Sequence, residues 1–79
     1  MKVVYVLQSI QFPERYYTGI TESIDRRLIE HNRGMCFHTS KWGPWKVIVS
    51  ASFDDDEKAL RFERYLKSGS GRAFAKRHF

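Results

Sequence analysis

Apolar residues are grouped along the chain in patterns that predict three β-strands. Residues Lys2 to Ser9, Tyr16 to Ile20 and Trp45 to Phe53 are rich in β-branched and aromatic side chains, which favour strands. Both alternating faces of the first segment are apolar, as is typical of a central strand covered on both sides. A turn around Pro13 separates the first two segments, so we expect them to form a hairpin. In the third segment, alternation places four apolar residues on one side: Trp45, Val47, Val49 and Ala51.

The segment after the second strand predicts a helix. Thr21 or Ser23 can cap its N-terminus, and Gly34 can end it. Residues 35–44 are rich in polar and glycine positions and are expected to form a loop. This helix therefore connects the second strand to the third.

A second helix is predicted after the third strand. Asp54 and Glu57 have the spacing of an N-cap residue and its partner at the third helical position. The helix is expected to run to about Ser68, and residues 71–78 can form a short final helix. The order β-β-α-β-α, with one further α, describes a small α/β sandwich on a three-stranded sheet.

The charge distribution points to a polyanionic partner. The 79 residues allow one domain, residues 1–79, with a net charge of +5. No acidic residue follows Glu63, whereas five basic residues do: Arg64, Lys67, Arg72, Lys76 and Arg77. A basic surface attracts polyanions, most commonly nucleic acid, although it can also serve only to keep a protein soluble.

Two further features bear on location. The longest apolar run, Val3 to Leu7, is too short to cross a bilayer, and no signal peptide precedes it. The single cysteine, Cys36, cannot form an internal disulfide, which suits a reducing compartment. We therefore expect a cytoplasmic protein without membrane association.

Arg27 and His31 are candidate functional residues on the first helix. Successive helical residues are rotated by about 100°, which places His31 within the apolar stripe formed by Ile24 and Leu28. Arg27 borders the stripe and is a neighbour of His31 at i, i+4. Taken singly, a solvated arginine and a hydrogen-bonded core histidine are the simpler interpretations.

Glu63 is a stronger candidate, because it lies in the apolar stripe of the second helix. The same rotation places it about 40° from Ala59, inside the stripe that also holds Leu60 and Leu66, where an unpaired carboxylate is costly to bury. Glu63 is expected either to pair with a buried base such as Arg27 or to hold a divalent cation. A salt bridge or a wet position at the edge of the stripe is the structural alternative.

These residue types together suit phosphodiester hydrolysis. A tyrosine near an arginine or a metal is expected to have a lowered pKa and to accept a proton from water. Tyr5 and Tyr17 are the candidates, although packing alone could explain either one. An arginine can hold phosphoryl oxygens, and one carboxylate suffices for Mg²⁺ because water and phosphate complete its coordination.

The chain resembles the GIY-YIG nuclease domain family, and particularly its small stand-alone bacterial members. The resemblance extends from Val3 to about Lys67. Its two signatures correspond to Val3-Val4-Tyr5, where only the tyrosine agrees, and to Tyr17-Thr18-Gly19, where tyrosine and glycine agree. The family's arginine, its frequent histidine one turn later and its metal-binding glutamate correspond to the last three positions: Arg27, His31 and Glu63.

The resemblance implies a three-stranded antiparallel sheet and an endonuclease that cleaves DNA with one Mg²⁺ or Mn²⁺ ion. Glu63 would hold the metal and Arg27 would stabilise charge at phosphorus. Tyr5, or else Tyr17, would be the general base, with the other tyrosine and His31 orienting the water or moving its proton. Some members have an asparagine after the glutamate, whereas here Asn32 is the only one.

DNA contacts are expected outside these catalytic candidates. The candidates for nucleic-acid binding are Gly19, Lys41, Lys46, Lys67 and Arg72. Trp42 and Trp45 could stack on bases, although anchoring of the third strand in the core is the simpler interpretation. Two alternatives remain open: a non-catalytic nucleic-acid-binding module, and a subunit of a larger assembly with a protein partner. We expect a monomer or a weak dimer.

Overall fold

The computed structural model describes residues 1–79, which form one three-stranded sheet and three helices. The strands are β1 (Lys2–Ser9), β2 (Tyr16–Thr21) and β3 (Trp45–Phe53), and the helices are α1 (Ile24–Asn32), α2 (Asp56–Lys67) and α3 (Gly69–His78). The sheet order is β2-β1-β3 and both pairings are antiparallel. The predicted α/β sandwich, its element order and its central first strand are therefore confirmed.

The helix caps agree with the sequence in part. The hydroxyl of Ser23 accepts a hydrogen bond from the amide of Arg26, so Ser23 caps α1. The predicted Asp54 cap of α2 is wrong: Asp55 is the cap, and its carboxylate accepts from the amides of Glu57 and Lys58. The chain is still extended at Asp55, so the helix begins one residue later than the spacing to Glu57 predicts.

The two faces of the sheet are covered by different helices. Val4 and Val6 of β1 pack with Ala59 and Leu66 of α2. On the other face, buried residues of β1 and β3 pack against apolar side chains of α1 and the following loop: Tyr5, Leu7, Trp45, Ile24, Leu28 and Trp42. The alternation along β1 thus supplies two small cores, one on each side of the sheet.

A bulge in β3 changes which side its residues face. The pairing with β1 shifts between Val6, opposite Val49, and Leu7, opposite Val47. Ile48 is the extra residue, so Val47 packs in the α1-side core whereas Val49 packs in the α2-side core. The expectation that Trp45, Val47, Val49 and Ala51 share one side is therefore wrong.

The loop between α1 and β3 is fastened to both elements. The side chain of Asn32 accepts from the backbone amide of Trp45 at 2.7 Å and donates to its carbonyl at 3.2 Å. The indole of Trp45 donates to the carbonyl of Thr39 at 2.9 Å. Gly34 has a φ of 74°, a left-handed conformation that glycine adopts without strain. These contacts hold the middle of the loop, around Thr39, against the α1-side core.

Candidate active site

A buried chain of hydrogen bonds runs from β1 through α1 to the loop. The Tyr5 hydroxyl lies 2.9 Å from Nε2 of His31. Nδ1 of the same imidazole lies 2.7 Å from Oγ1 of Thr39. Each of these three residues is only 1% exposed. The predicted position of His31 in the apolar stripe is therefore confirmed, and both of its ring nitrogens have partners.

The hydrogen bonds around Thr39 favour one histidine tautomer. The Thr39 hydroxyl lies 3.4 Å from the carbonyl of Cys36, to which it can donate its only proton. In that arrangement it accepts from Nδ1 of His31, and the imidazole proton is on Nδ1. Nε2 is left with a lone pair that accepts the Tyr5 proton. The chain is thus oriented to draw a proton away from the phenol.

The pKa values of the two buried groups are consistent with this orientation. Burial raises the pKa of Tyr5 above its usual value, and the nearby Arg27 guanidinium offsets only part of the increase. Burial, assisted by Arg27, lowers the pKa of His31. At neutral pH Tyr5 is a phenol and His31 is neutral. The expected lowering of the tyrosine pKa is therefore wrong for Tyr5, because desolvation outweighs the neighbouring charge.

Tyr17 and Gly19 of β2 complete the surroundings of Tyr5. The Tyr17 ring centroid lies 4.9 Å from that of His31 and 6.3 Å from that of Tyr5. Gly19 pairs with Tyr5 across the sheet, and a Cβ at Gly19 would lie 2.5 Å from Cζ of Tyr5. Gly19 therefore makes room for the phenol.

Arg27 lies beside Tyr5 in this cluster, where its guanidinium approaches the Tyr5 hydroxyl. Its guanidinium is paired with Glu30 at 2.9 Å, and the two side chains are about one-third exposed. The pair holds the pKa of Glu30 below its usual value. Arg27 is thus held by one carboxylate at a partly exposed position, where its remaining donors can meet a phosphate.

Glu63 is not joined to these residues by any hydrogen bond or ion pair. It lies on α2, which packs on the opposite face of the sheet from α1. Its side chain is only 13% exposed, and its carboxylate is paired with Lys67 at 2.9 Å. The predicted burial is confirmed, whereas the suggested pairing with Arg27 is wrong. Tyr5, Tyr17, Arg27 and His31 therefore form one cluster, and Glu63 approaches the sheet separately.

The Glu63 carboxylate can supply one ligand to a magnesium-like ion. The chain has no group of three or more histidine, cysteine, aspartate or glutamate residues that could hold a metal. Mg²⁺, however, often binds through one or two carboxylates and takes its other ligands from water and substrate phosphates. A largely buried carboxylate whose only partner is a flexible, half-exposed lysine can supply such a ligand.

The predicted nucleic-acid-binding residues have different surroundings. Lys41 and Lys46 are exposed, and Lys67 and Arg72 line a groove beside α3. Gly19 is buried. Trp45 is 3% exposed, and Trp42 packs against the same core, so both tryptophans are strand anchors rather than exposed stacking surfaces.

Sequence reasoning missed Thr39, which is a central member of the buried chain. The hydroxyl lies in a short turn between Cys36 and Ser40, where the amides of Thr39 and Ser40 both point to the Cys36 carbonyl. No periodicity marks a loop threonine. The adjacent tryptophan pattern is the only signal that this loop folds back onto the core.

Comparisons with known proteins find similar sequences. The GIY-YIG catalytic domain family matches residues 1–77. The chain is 41% identical over 69 residues to a "Structure-specific endonuclease subunit SLX1 homolog" of Drosophila persimilis, covering 76% of this chain and 24% of that protein. It is 34% identical over 58 residues to the UPF0213 protein BH0048 of Halalkalibacterium halodurans, covering 72% of this chain and 62% of the relative.

A solved structure shows the same fold. The solution NMR structure of the UPF0213 protein BH0048 from Bacillus halodurans matches with a TM-score of 0.58 and 31% identity, covering 96% of this chain and 81% of that one. The chain spans about a quarter of the length of the SLX1 homologue. The match over nearly the whole chain, on a fold shared with a solved relative, shows that this protein belongs to the GIY-YIG catalytic domain family.

Proposed function

We propose that this protein is a divalent-metal-dependent endonuclease that hydrolyses phosphodiester bonds in DNA. The observation that carries the proposal is the buried chain from Tyr5 through His31 to Thr39, with Arg27 beside Tyr5. Membership of the GIY-YIG family and the endonuclease names of its relatives support the same reaction class.

Tyr5 is the general base in this proposal. A phenol with a raised pKa cannot take a proton from water and keep its own. It can do so if its proton passes at the same time to Nε2 of His31, 2.9 Å away. Neutral His31, whose ring proton is on Nδ1 and is donated to Thr39, can accept that proton at Nε2. The hydroxide attacks phosphorus as the bond to the leaving oxygen breaks, and solvent protonates that oxygen.

Arg27 binds the substrate in this step, and Tyr17 holds the histidine in place. The donors of Arg27 that Glu30 leaves free bind the phosphoryl oxygens and offset negative charge as it develops at phosphorus. Tyr17 packs on His31 and holds the imidazole towards Tyr5. Glu63 would hold one Mg²⁺ or Mn²⁺ ion, which would supply charge neutralisation to the substrate. Lys67 would then have to release the oxygen of the Glu63 carboxylate that it now binds.

The experiment is a cleavage screen of the purified protein on single-stranded, duplex and branched DNA with Mg²⁺ or Mn²⁺. Tyr5→Phe and Glu63→Gln are expected to abolish cleavage, since each removes one group and preserves shape. Tyr65→Phe and Glu57→Gln are matched controls, because both residues are exposed. The proposal fails if no DNA is cut, or if Glu63→Gln cuts as well as Glu57→Gln.

The Glu63–Lys67 ion pair favours a second candidate function, a nucleic-acid-binding module without catalysis. In that case the lysine keeps the carboxylate, and the basic surface alone is used. Salt-dependent DNA binding that survives Glu63→Gln, with no cleavage by any variant, would support this alternative.

The word "subunit" in the relatives' names also makes a protein partner part of the proposal, and co-purification of the protein from cells tests it. A cytoplasmic location, suited to the unpaired Cys36, completes it.

A further inference from the structure

A groove of about 810 Å³ lies between the outer edge of β2 and the pair of helices α2 and α3. It is on the α2 side of the sheet, whereas the side chains of Tyr5 and Leu7 lie on the α1 side. Its floor is apolar and includes the half-buried Ile48 and Ala75, which pack against the α2-side core. We call it the β2–α3 groove. The proposed catalytic step does not use it.

The β2–α3 groove is strongly basic. Four basic residues line it, Arg15, Lys67, Arg72 and Lys76, against a single carboxylate, Glu14. The guanidinium of Arg15 lies over the Trp42 ring, 4.0 Å from its centroid, so Arg72 and Lys76 are the cations left for a ligand. Only Lys67 has an acidic partner within ion-pair distance. Arg72 and Lys76 are one turn apart on an exposed face of α3, and no acidic residue lies on that helix. A cleft with unneutralised cations above an apolar floor fits a ligand that is both anionic and partly apolar.

An exposed aromatic ring and a free strand edge indicate which class of ligand the groove can bind. Tyr16 lies at the rim and is 55% exposed, with its hydroxyl accepting from Nε2 of Gln8 at 3.3 Å. An exposed, oriented aromatic ring can stack on an unpaired base. In addition, β2 is an edge strand, so its outer backbone amides and carbonyls are free to bond to base edges.

The groove is connected to the candidate site at two points. Tyr17 lines the groove and also packs on His31. Lys67 lines it and is paired with Glu63. A strand held in the groove can therefore continue around the edge of β2 to the scissile phosphate.

We propose that the β2–α3 groove binds the unpaired strand of a branched nucleic-acid substrate. Arg72 and Lys76 bind its phosphates, while Tyr16 and the apolar floor contact its bases. This inference rests on the proposed function. An unpaired strand is favoured over a duplex because a duplex hides its base faces, and the apolar floor would then have no partner.

The test measures binding without cleavage, by fluorescence anisotropy in the presence of a chelator. The probes are a short labelled thymidine oligonucleotide and two branched DNAs, with and without an unpaired arm. The groove variant is Arg72→Gln/Lys76→Gln. The matched control, Lys58→Gln/Arg61→Gln, also removes two exposed positive charges, but from the outer face of α2.

The groove variant is expected to bind the oligonucleotide about tenfold more weakly at physiological salt, and its log–log salt slope should fall by about 1.4. The control should change the slope little. Tyr16→Leu should weaken oligonucleotide binding by about tenfold, whereas Tyr65→Leu, on the exposed face of α2, should not. Thermal unfolding by circular dichroism confirms that the variants are folded.

Three results would overturn the inference. The first is an equal loss of affinity in the groove variant and its control, which would mean that only net charge matters. The second is equal affinity for branched DNA with and without the unpaired arm. The third is displacement of the oligonucleotide by a phosphorylated peptide of equal charge as effectively as by unlabelled oligonucleotide.

The inference and the proposed function can fail separately. If the groove variant binds DNA more weakly but no DNA is cut, the proposed endonuclease activity is refuted and the proposed binding site stands. If cleavage requires Tyr5, and the variant without Arg72 and Lys76 binds and cuts DNA normally, the proposed binding site is refuted and the endonuclease activity stands.

Discussion

Replacing Thr39 by valine removes one hydroxyl from the buried chain and keeps the branched shape of the side chain. In the native protein Nδ1 of His31 lies 2.7 Å from that hydroxyl, and both residues are 1% exposed. Water cannot take its place without the core opening. A buried donor left without an acceptor costs about 1–3 kcal/mol, and we expect the free energy of unfolding to fall by this amount.

The same substitution should also change the histidine tautomer. With no acceptor at Nδ1, the imidazole proton is better placed on Nε2, where it can be donated to the oxygen of Tyr5. Nε2 then no longer accepts the phenolic proton, and the general-base pathway is blocked. General-base catalysis contributes about 10²–10⁴-fold to a rate, so we expect single-turnover cleavage to slow by about 100-fold.

Three measurements check this prediction: urea unfolding, single-turnover cleavage, and ¹⁵N NMR of the His31 ring, which distinguishes the two tautomers. Thr39→Ser keeps the hydroxyl and should preserve both the native tautomer and most of the cleavage rate. If Thr39→Val cleaves normally with His31 still protonated on Nδ1, Thr39 does not set the tautomer and the reasoning is refuted.

Three other substitutions or conditions test neighbouring features. Gly19→Ala places a Cβ 2.5 Å from Cζ of Tyr5, so it should destabilise the fold by about 1–3 kcal/mol in urea unfolding; Gly69→Ala, which meets no atom within 4 Å, is the control. The lowered pKa of His31 means that the unfolded chain binds the proton more readily. Stability should therefore fall as pH drops below about 6.5 towards the folded pKa, and a His31→Gln variant that kept this pH dependence would contradict the assignment. Lys67→Met removes the cation paired with the candidate metal-binding carboxylate, so calorimetry without DNA should show tighter Mn²⁺ binding; unchanged or weaker binding would exclude that carboxylate as the ligand.

Much of the fold follows from local patterns. The bounds of β1 and β3 agree with the sequence prediction, because β-branched and aromatic residues are concentrated there and turn residues surround them. The cap of α2 could not be chosen from the run Asp54-Asp55-Asp56, since each aspartate is an adequate cap and tertiary packing decides between them. The bulge at Ile48 is also invisible in the sequence, because Val47, Ile48 and Val49 are all apolar and suit either face.

The sequence could predict only those parts of the site that follow from helical and strand periodicity. Periodicity brings His31 into the core below Tyr5, and it places Glu63 in a buried stripe. It cannot show that Lys67, one turn later, bends back to the carboxylate, or that Thr39 folds onto the imidazole from an irregular loop. It also cannot show that desolvation outweighs Arg27 at Tyr5, because that balance depends on how completely the phenol is enclosed.

The bulge in β3 makes the length of this strand as important as its composition. Because one extra residue at Ile48 redirects the strand, the half that begins at Trp45 supports the α1-side core and the half from Val49 onwards supports the α2-side core. A substitution at Ile48 would alter only local packing. Deletion of that residue would remove the bulge and leave Val47 opposite Leu7 and Val49 opposite Val6, so both halves would keep their faces. An insertion or deletion elsewhere in the strand would instead turn one half to the wrong face. Evolution along this strand is therefore expected to accept exchanges of apolar residues and loss of Ile48, and to reject length changes at its other positions.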